Sequence, residues 1–291
     1  MKVLFKTLRL HQSLKNCLIF FPMMASFSFS ISNIKNCFLA FLSFSLVASS
    51  LYILNDILDL KYDKKHPKKK YRPIASGKIS ITSSLFLASF TISLGFFIGF
   101  IINIKFFFII IAYSILVLIY TTIIKKIFIL DIIVLTSFYM IRIFAGESAS
   151  EINLSHWLIM FSGFFFFSLA SIKRITELIL FQKNRTTKLK GRGYFQNDIN
   201  FLISLTTSSI FASIIVFIFY INSTSTKIFY PNYEYLWPIT ILLFYWFSRI
   251  VSIACKGILH HDPVFFIIND KLSWFIFFLI LFLTILAKNI I

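Results

Sequence analysis

The chain has 291 residues, 58% of them hydrophobic and only 14% charged, with a mean hydropathy of +0.85. A soluble domain carries about 25% charged and 45–50% apolar residues, so a surplus of this size excludes an aqueous globular fold and makes a bilayer the solvent. The net charge of +18 would suit nucleic acid, but the lysines and arginines sit in short loops between apolar runs, as membrane topology demands. Anionic headgroups and an anionic substrate are the expected partners, and nucleic acid is not.

In chain order, residues 1–15 mix Leu, Val and Phe with Lys and Arg and read as an interfacial helix. The basic start lacks a small-residue cleavage site, so no removable signal peptide is expected. Apolar runs of spanning length follow at 16–32, 37–58, 80–102, 105–124, 127–148, 154–176, 199–221, 235–255 and 272–290. The first is the weakest, because Pro22 and several serines dilute it. The expected fold is an all-α polytopic bundle of about nine transmembrane helices, a single membrane domain over 1–291 with main polar loops at 59–79 and 177–198. The 39 phenylalanines, including the run Phe164 to Phe167, read as lipid-facing filler, since the same bias fills every helix. Cys17, Cys37 and Cys255 have neither disulfide-framework nor zinc spacing.

Of the 29 lysines and arginines, 24 fall on alternate loops that include the N-terminal segment. Only Lys35, Lys105, Lys227 and Lys288 fall on the other side, and Arg142 lies inside a span. That bias puts the N-terminus in the cytoplasm, the C-terminus outside, and every long polar loop on the cytoplasmic face.

Residues 52–78 read YILNDILDLKYDKKHPKKKYRPIASGK. If the second span continues as a helix, Asp56, Asp59 and Asp63 are spaced i, i+3, i+7 and share one face. Stacked carboxylates beside a bilayer repel and lose solvation, so a cation must compensate them. Either the following lysines do so in a solvated loop, or a divalent metal does, Mg²⁺ taking carboxylate oxygens on one side and phosphate oxygens on the other. Acids for the metal followed closely by Lys69 and Arg72 for an anion amount to a diphosphate site.

The NDxxDxxxD string and the HPxKxxRPIASG after it resemble the first aspartate-rich motif of the UbiA superfamily of intramembrane prenyltransferases. LRLHQSLKN at 8–16 resembles that family's amino-terminal element, retaining Lys15 and Asn16 but with Leu10 and Ser13 at its usual Pro and Trp. LDIIVLTSFYMIRIFAGE at 130–147 resembles its fifth helix and SLASIKRITEL at 168–178 its sixth. The last string, with GRGYFQNDI at 191–199 and HHDPVFFIINDKLSW at 260–274, is most similar to the decaprenyl-phosphate phosphoribosyltransferase branch. There Lys173, Arg174 and Glu177 stand where other members carry a second acidic DxxxD motif, which disfavours a second metal and a clamped isoprenyl diphosphate.

The resemblance implies a transferase of the bacterial inner membrane, serving cell-envelope synthesis. Its donor would be phosphoribosyl pyrophosphate and its acceptor a decaprenyl-type polyprenyl phosphate; homo-oligomerisation stays open. Mg²⁺ would be held by Asp56, Asp59 and Asp63 with Asn55 in support. Lys15, Asn16, Lys69, Arg72, Lys126, Asp131, Arg142, Lys173, Arg174 and Glu177 would contact substrate. Simpler readings stand beside several of these. Asp131 is equally a helix N-terminal acid stabilised by the dipole, and Arg142 equally a structural bridge. His260, His261 and Asp262, Gly191-Arg192-Gly193, and His66-Pro67 read as loop capping and turns. Two other functions remain: a true prenyltransferase acting from an isoprenyl diphosphate, and a non-catalytic lipid-phosphate binding or transport protein.

Overall fold

In a computed structural model the chain is all-α, as expected, and residues 2–65, 69–183, 192–259 and 263–289 are described. The turns expected at His66-Pro67, at Gly191 and at 260–262 lie outside those residues. The helices are α1 (Lys2–Thr7), α2 (Phe21–Ala25), α3 (Ile31–Leu58), α4 (Leu60–Lys65), α5 (Ile81–Ile102), α6 (Ile104–Thr122), α7 (Leu130–Ser150), α8 (His156–Lys183), α9 (Asp198–Asn222), α10 (Thr224–Phe229), α11 (Trp237–Cys255), α12 (Pro263–Asn269) and α13 (Lys271–Lys288).

Among the described residues, eight helical stretches are long and apolar enough to cross a membrane. The weakest expected span, 16–32, takes a different form: a 3₁₀ segment, Leu10–Phe20, runs straight into α2. Pro22 sits in the first turn of α2, where its missing N–H costs nothing. A 3₁₀ helix rises about 2.0 Å per residue against 1.5 Å for an α-helix. The 11 and five residues of the two pieces therefore cover roughly 30 Å, about one hydrocarbon thickness.

Small polar residues cap the helices and join them. Ser30, Ser80 and Asn103 accept from the backbone N–H three residues on, opening α3, α5 and α6. Ser43 and Ser50 of α3 donate to the Gly95 and Ala88 carbonyls of α5 at 2.7 and 2.8 Å. In lipid, where burial of apolar surface does not drive helix association, such short side chains let helices approach closely and add hydrogen bonds.

Two compact units result: Met1–Ile124 with Ile141–Leu154, and Lys125–Met140 with Ser155–Ile291. In the amino-terminal unit the 3₁₀ segment packs on the second half of α7. A Cβ at Gly146 would lie 2.0 Å from the Ile19 carbonyl oxygen, so only glycine permits that approach. In the carboxy-terminal unit, Ile132, Ala170, Ile175, Leu178, Tyr194 and Leu202 form a core that joins the first half of α7 to α8, α9 and the 192–197 loop.

Candidate active site

The amino-terminal unit presents the acids. The helix does not run unbroken through them: α3 ends at Leu58, Asp59 is a turn residue, and α4 begins at Leu60. Asp59 N–H still donates to the Asn55 carbonyl and Asp63 N–H to that of Asp59, both at 2.9 Å, so the interruption is only slight. Asp56 and Asp63 are buried, at 6% and 2% exposure, whereas Asp59 and Asn55 are half-buried.

The RPIASG segment delivers a cation to the two buried acids. Ile74 plugs into a core with Ile53 and Ala88, and Gly77, at φ +74°, turns the chain into the Ser80 cap through a conformation that suits glycine. Arg72, two residues before that plug, donates from one nitrogen, Nη1, to Asp56 Oδ1 at 2.9 Å and Asp63 Oδ2 at 2.6 Å. The two carboxylate oxygens are thus no further apart than the sum of those distances. Lys69 Nζ stands 4.0 Å from Asp63.

A second arginine, Arg9, reaches the same Asp56 oxygen through Nη2 and stacks on the Tyr52 ring at 5.3 Å. Its backbone is left-handed, φ 49°, a conformation costing a non-glycine residue roughly 1 kcal/mol. Arg9 stands in the amino-terminal string LRLHQSLKN, but nothing in the sequence tied it to Asp56, 47 positions away.

Among the described residues no three His, Cys, Asp or Glu side chains converge as a ready-made metal cage. The donor set nevertheless fits Mg²⁺, a hard cation that is commonly bound by one or two carboxylates together with substrate phosphates and water. Two buried carboxylate oxygens already share one positive charge, and Asp59 and Asn55 lie within one helical turn of Asp56.

Deeper in the same unit, Arg142 is 4% exposed. Its Nε donates to Asn16 Oδ1 at 2.8 Å, and its guanidinium lies 5.1 and 5.4 Å from the Phe44 and Tyr113 rings. Asn16, buried as well, donates onward to Ser45 at 2.9 Å. The expected residues Asn16 and Arg142 are therefore each other's partners, and Asn16 fixes the guanidinium plane. Lys15 beside them is half-buried.

The carboxy-terminal unit assembles the other expected residues around Asp131, which is fully buried. Arg174, also at 0% exposure, grips Asp131 with Nε and with Nη2 (3.0 Å), and turns Nη1 to Glu177, one helical turn on. Such bidentate, charge-assisted bonds are the strong ones. Arg192, 24% exposed, donates from Nη1 to Asp131 Oδ1 at 3.1 Å and lies 3.9 Å from Glu177. Tyr194 completes the shell. Burial, and then the Asp131 charge beside it, push its phenol above the usual range. It therefore remains protonated and donates to Asp131, while its oxygen accepts the Ile129 N–H at 3.3 Å.

The loop can come this close because a Cβ at Gly193 would lie 2.3 Å from the Lys126 carbonyl oxygen. Lys126 itself is exposed and Lys173 half-buried. The string expected to be a flexible turn is therefore, from Arg192 to Tyr194, a docked element. The signal available was an arginine and a tyrosine flanking a glycine that must touch backbone.

The model of the UbiA prenyltransferase family matches residues 17–179. An uncharacterised protein, y4nM, of Sinorhizobium fredii is 32% identical over 92% of this chain, which spans about half (52%) of that relative's length. The nodulation protein NoeC of Azorhizobium caulinodans is 31% identical over 91% of this chain and 86% of its own. A decaprenyl-phosphate phosphoribosyltransferase of Corynebacterium glutamicum is 29% identical over 76% of this chain and 68% of its own. Among solved structures, a digeranylgeranylglyceryl phosphate synthase superposes with TM-score 0.68 at 17% identity, over 100% of this chain and 99% of its own. A UbiA homologue from Archaeoglobus fulgidus bound to DMAPP and Mg²⁺ gives 0.67 at 14% identity, over 99% of each chain. The chain is an integral membrane protein that belongs to the UbiA prenyltransferase family.

Proposed function

We propose that the protein transfers a 5-phosphoribosyl group from phosphoribosyl pyrophosphate to a polyprenyl phosphate at the cytoplasmic face of the membrane. The observation that carries this reading is Arg174, buried between Asp131 and Glu177 within KRITEL, the stretch that by resemblance stands where members acting on isoprenyl diphosphates carry a second acidic motif. An arginine locked there repels a second metal and leaves surplus positive charge for a further phosphate. The C. glutamicum relative is named for this transfer.

In the reaction the bond from C1 of the ribose to the diphosphate oxygen breaks and diphosphate leaves with the electron pair. A phosphate oxygen of the acceptor, already an anion, forms the new bond to C1, so no general base is required. Asp56, Asp59 and Asp63, with Asn55, would hold Mg²⁺, whose chemistry there is to neutralise charge on the departing diphosphate. Arg72, Arg9 and Lys69 neutralise the acids before substrate arrives and suit phosphate oxygens once it does. Lys126 and Lys173 add charge for phosphate, Asp131, Arg174 and Glu177 hold that end of α8 in place, and Asn16 orients Arg142 beside Lys15.

The test is turnover by purified protein in detergent with Mg²⁺. One reaction holds labelled phosphoribosyl pyrophosphate and a polyprenyl phosphate, a parallel one an isoprenyl diphosphate and an aromatic acceptor. A labelled phosphoribosyl lipid that disappears with EDTA and with Asp56→Ala is the expected result. Product only in the second reaction would replace this reading with prenyl transfer.

A further inference from the structure

We infer that the carboxy-terminal unit carries a site for a phosphomonoester dianion on the rim made by Arg192, Lys173 and Lys126, separate in chemistry from the metal–diphosphate acids. The inference rests on the phosphoryl-lipid reading above and deepens it. It assigns ligand contact to Arg192, which the sequence offered only as part of a turn, and removes it from Arg174.

Burial separates the two arginines. Arg174 has no exposed surface, and Nε, Nη1 and Nη2 all donate to carboxylates. Arg192 shares the same carboxylates but at longer range, 3.1 and 3.9 Å, and keeps 24% of its side chain exposed. Asp131 would not be stranded if Arg192 turned outward, since it retains two nitrogens of Arg174 and the Tyr194 hydroxyl. The exchange therefore costs little on the protein side. A planar guanidinium fork matches phosphate oxygens in pairs.

Charge balance sets the ligand class. Asp131 and Glu177 supply two negative charges against the positive charges of Arg174, Arg192 and Lys173, with Lys126 on the backbone that adjoins the loop. The surplus is positive, as the charge of about −1.5 to −2 on a phosphomonoester at pH 7 requires. Lys173 lies four residues before Glu177 on α8, on the same helical face. Gly193 rests against the Lys126 carbonyl, which docks the loop that carries Arg192. The rim is thus built from one helix and one docked loop on a buried base.

Two sources offer this chemistry: the 5-phosphate of the donor and the headgroup of the acceptor lipid. Ribose 5-phosphate and farnesyl phosphate, titrated without metal into the purified full chain in detergent micelles, distinguish them. The wild type should bind at least one probe. Arg192→Gln and Lys173→Gln should each weaken that binding about tenfold, the effect of losing one charged contact, while Mg²⁺-pyrophosphate binds as before; Arg192→Lys should recover part of the loss. Weakening confined to ribose 5-phosphate gives the rim to the donor, and weakening confined to farnesyl phosphate gives it to the acceptor. A wild type that binds neither probe, or variant titrations that superimpose on wild type, overturns the inference. Asp56→Asn is the complementary control: it should weaken Mg²⁺-pyrophosphate and spare the phosphomonoesters. Isoprenyl transfer in the turnover assay would remove the donor reading without altering the Arg192 comparison. Should Arg192→Gln lower the melting temperature sharply, Lys173→Gln, half-buried on α8, carries the same test.

Discussion

Replacing Arg174 with leucine isolates the energetic role of the buried base. The substitution keeps apolar bulk but takes the cation from between Asp131, at 0% exposure, and Glu177, at 29%. Breaking a buried ion pair from one side costs about 3–5 kcal/mol, because the remaining charge is stranded. Here the lower end applies: Asp131 keeps Arg192 and Tyr194, and Glu177 can hydrate. At about 2–4 °C per kcal/mol, a loss near 3 kcal/mol lowers the melting temperature by roughly 6–12 °C. The measurement is tryptophan-fluorescence melting in detergent micelles. Adding Asp131→Asn to Arg174→Leu removes the stranded charge, so the double variant should melt above the single one, with a coupling of about 1–3 kcal/mol. A single variant melting within about 2 °C of wild type, or a double variant whose loss equals the two single losses combined, would refute the buried-base argument.

Gly193→Ala places a methyl 2.3 Å from the Lys126 carbonyl oxygen; the loop must shift, costing about 1–3 kcal/mol and weakening phosphomonoester binding together with stability, and an unchanged melt would show that the loop yields freely. Asp270, which caps α13, is held below the ordinary carboxylate range by its bonds to Arg249 at 2.6 and 2.9 Å. A depressed folded-state value stabilises above the unfolded value near 3.8 and is lost as pH falls through the folded one, so Arg249→Gln should flatten the melting profile below pH of about 4; parallel acid limbs would contradict the pair's contribution. Titrated with Mn²⁺ and pyrophosphate, the wild type should bind one equivalent of metal per chain by electron paramagnetic resonance, and a second equivalent abolished by Glu177→Gln would contradict the assignment of Arg174 as a locked cation.

The sequence carried the membrane helices well because hydrocarbon imposes one length and one composition on each. It carried the first one poorly: at 10–25 a 3₁₀ winding reaches further with fewer residues, and Pro22 and the serines hide its apolar signal. The acids at 56–63 were legible because acids are scarce in this chain, and Arg72 because it follows within a few residues. Their geometry was not. A shared helical face was expected, and Asp56 and Asp63 do meet on Arg72, but the turn at Asp59 and the pairing with arginine had no signal in the spacing. Contacts that are long in sequence left no trace at all: Arg9 to Asp56, Asn16 to Arg142, Arg192 to Asp131. Each joins a lone polar residue to another across dozens of positions, so neither period nor spacing records it. Gly193 was visible only as a glycine, since close approach, unlike a turn, has no local pattern.

Both units meet the same electrostatic problem, carboxylates withdrawn from water beside a bilayer, and both use arginine, but the arginines differ in what they can do next. Arg72 and Arg9 retain 26% and 17% of their side chains exposed, so they have room to turn away from the acids, as the proposed metal–diphosphate binding would require. Arg174 retains none and has no such option; its acids are permanently spoken for. With Arg174 supplying positive charge from within, Asp131 and Glu177 are compensated without an ion, and Arg192 lies beside the same acids. Under the proposed function it is this buried arginine, rather than the acids at 56–63, that separates the two donor classes.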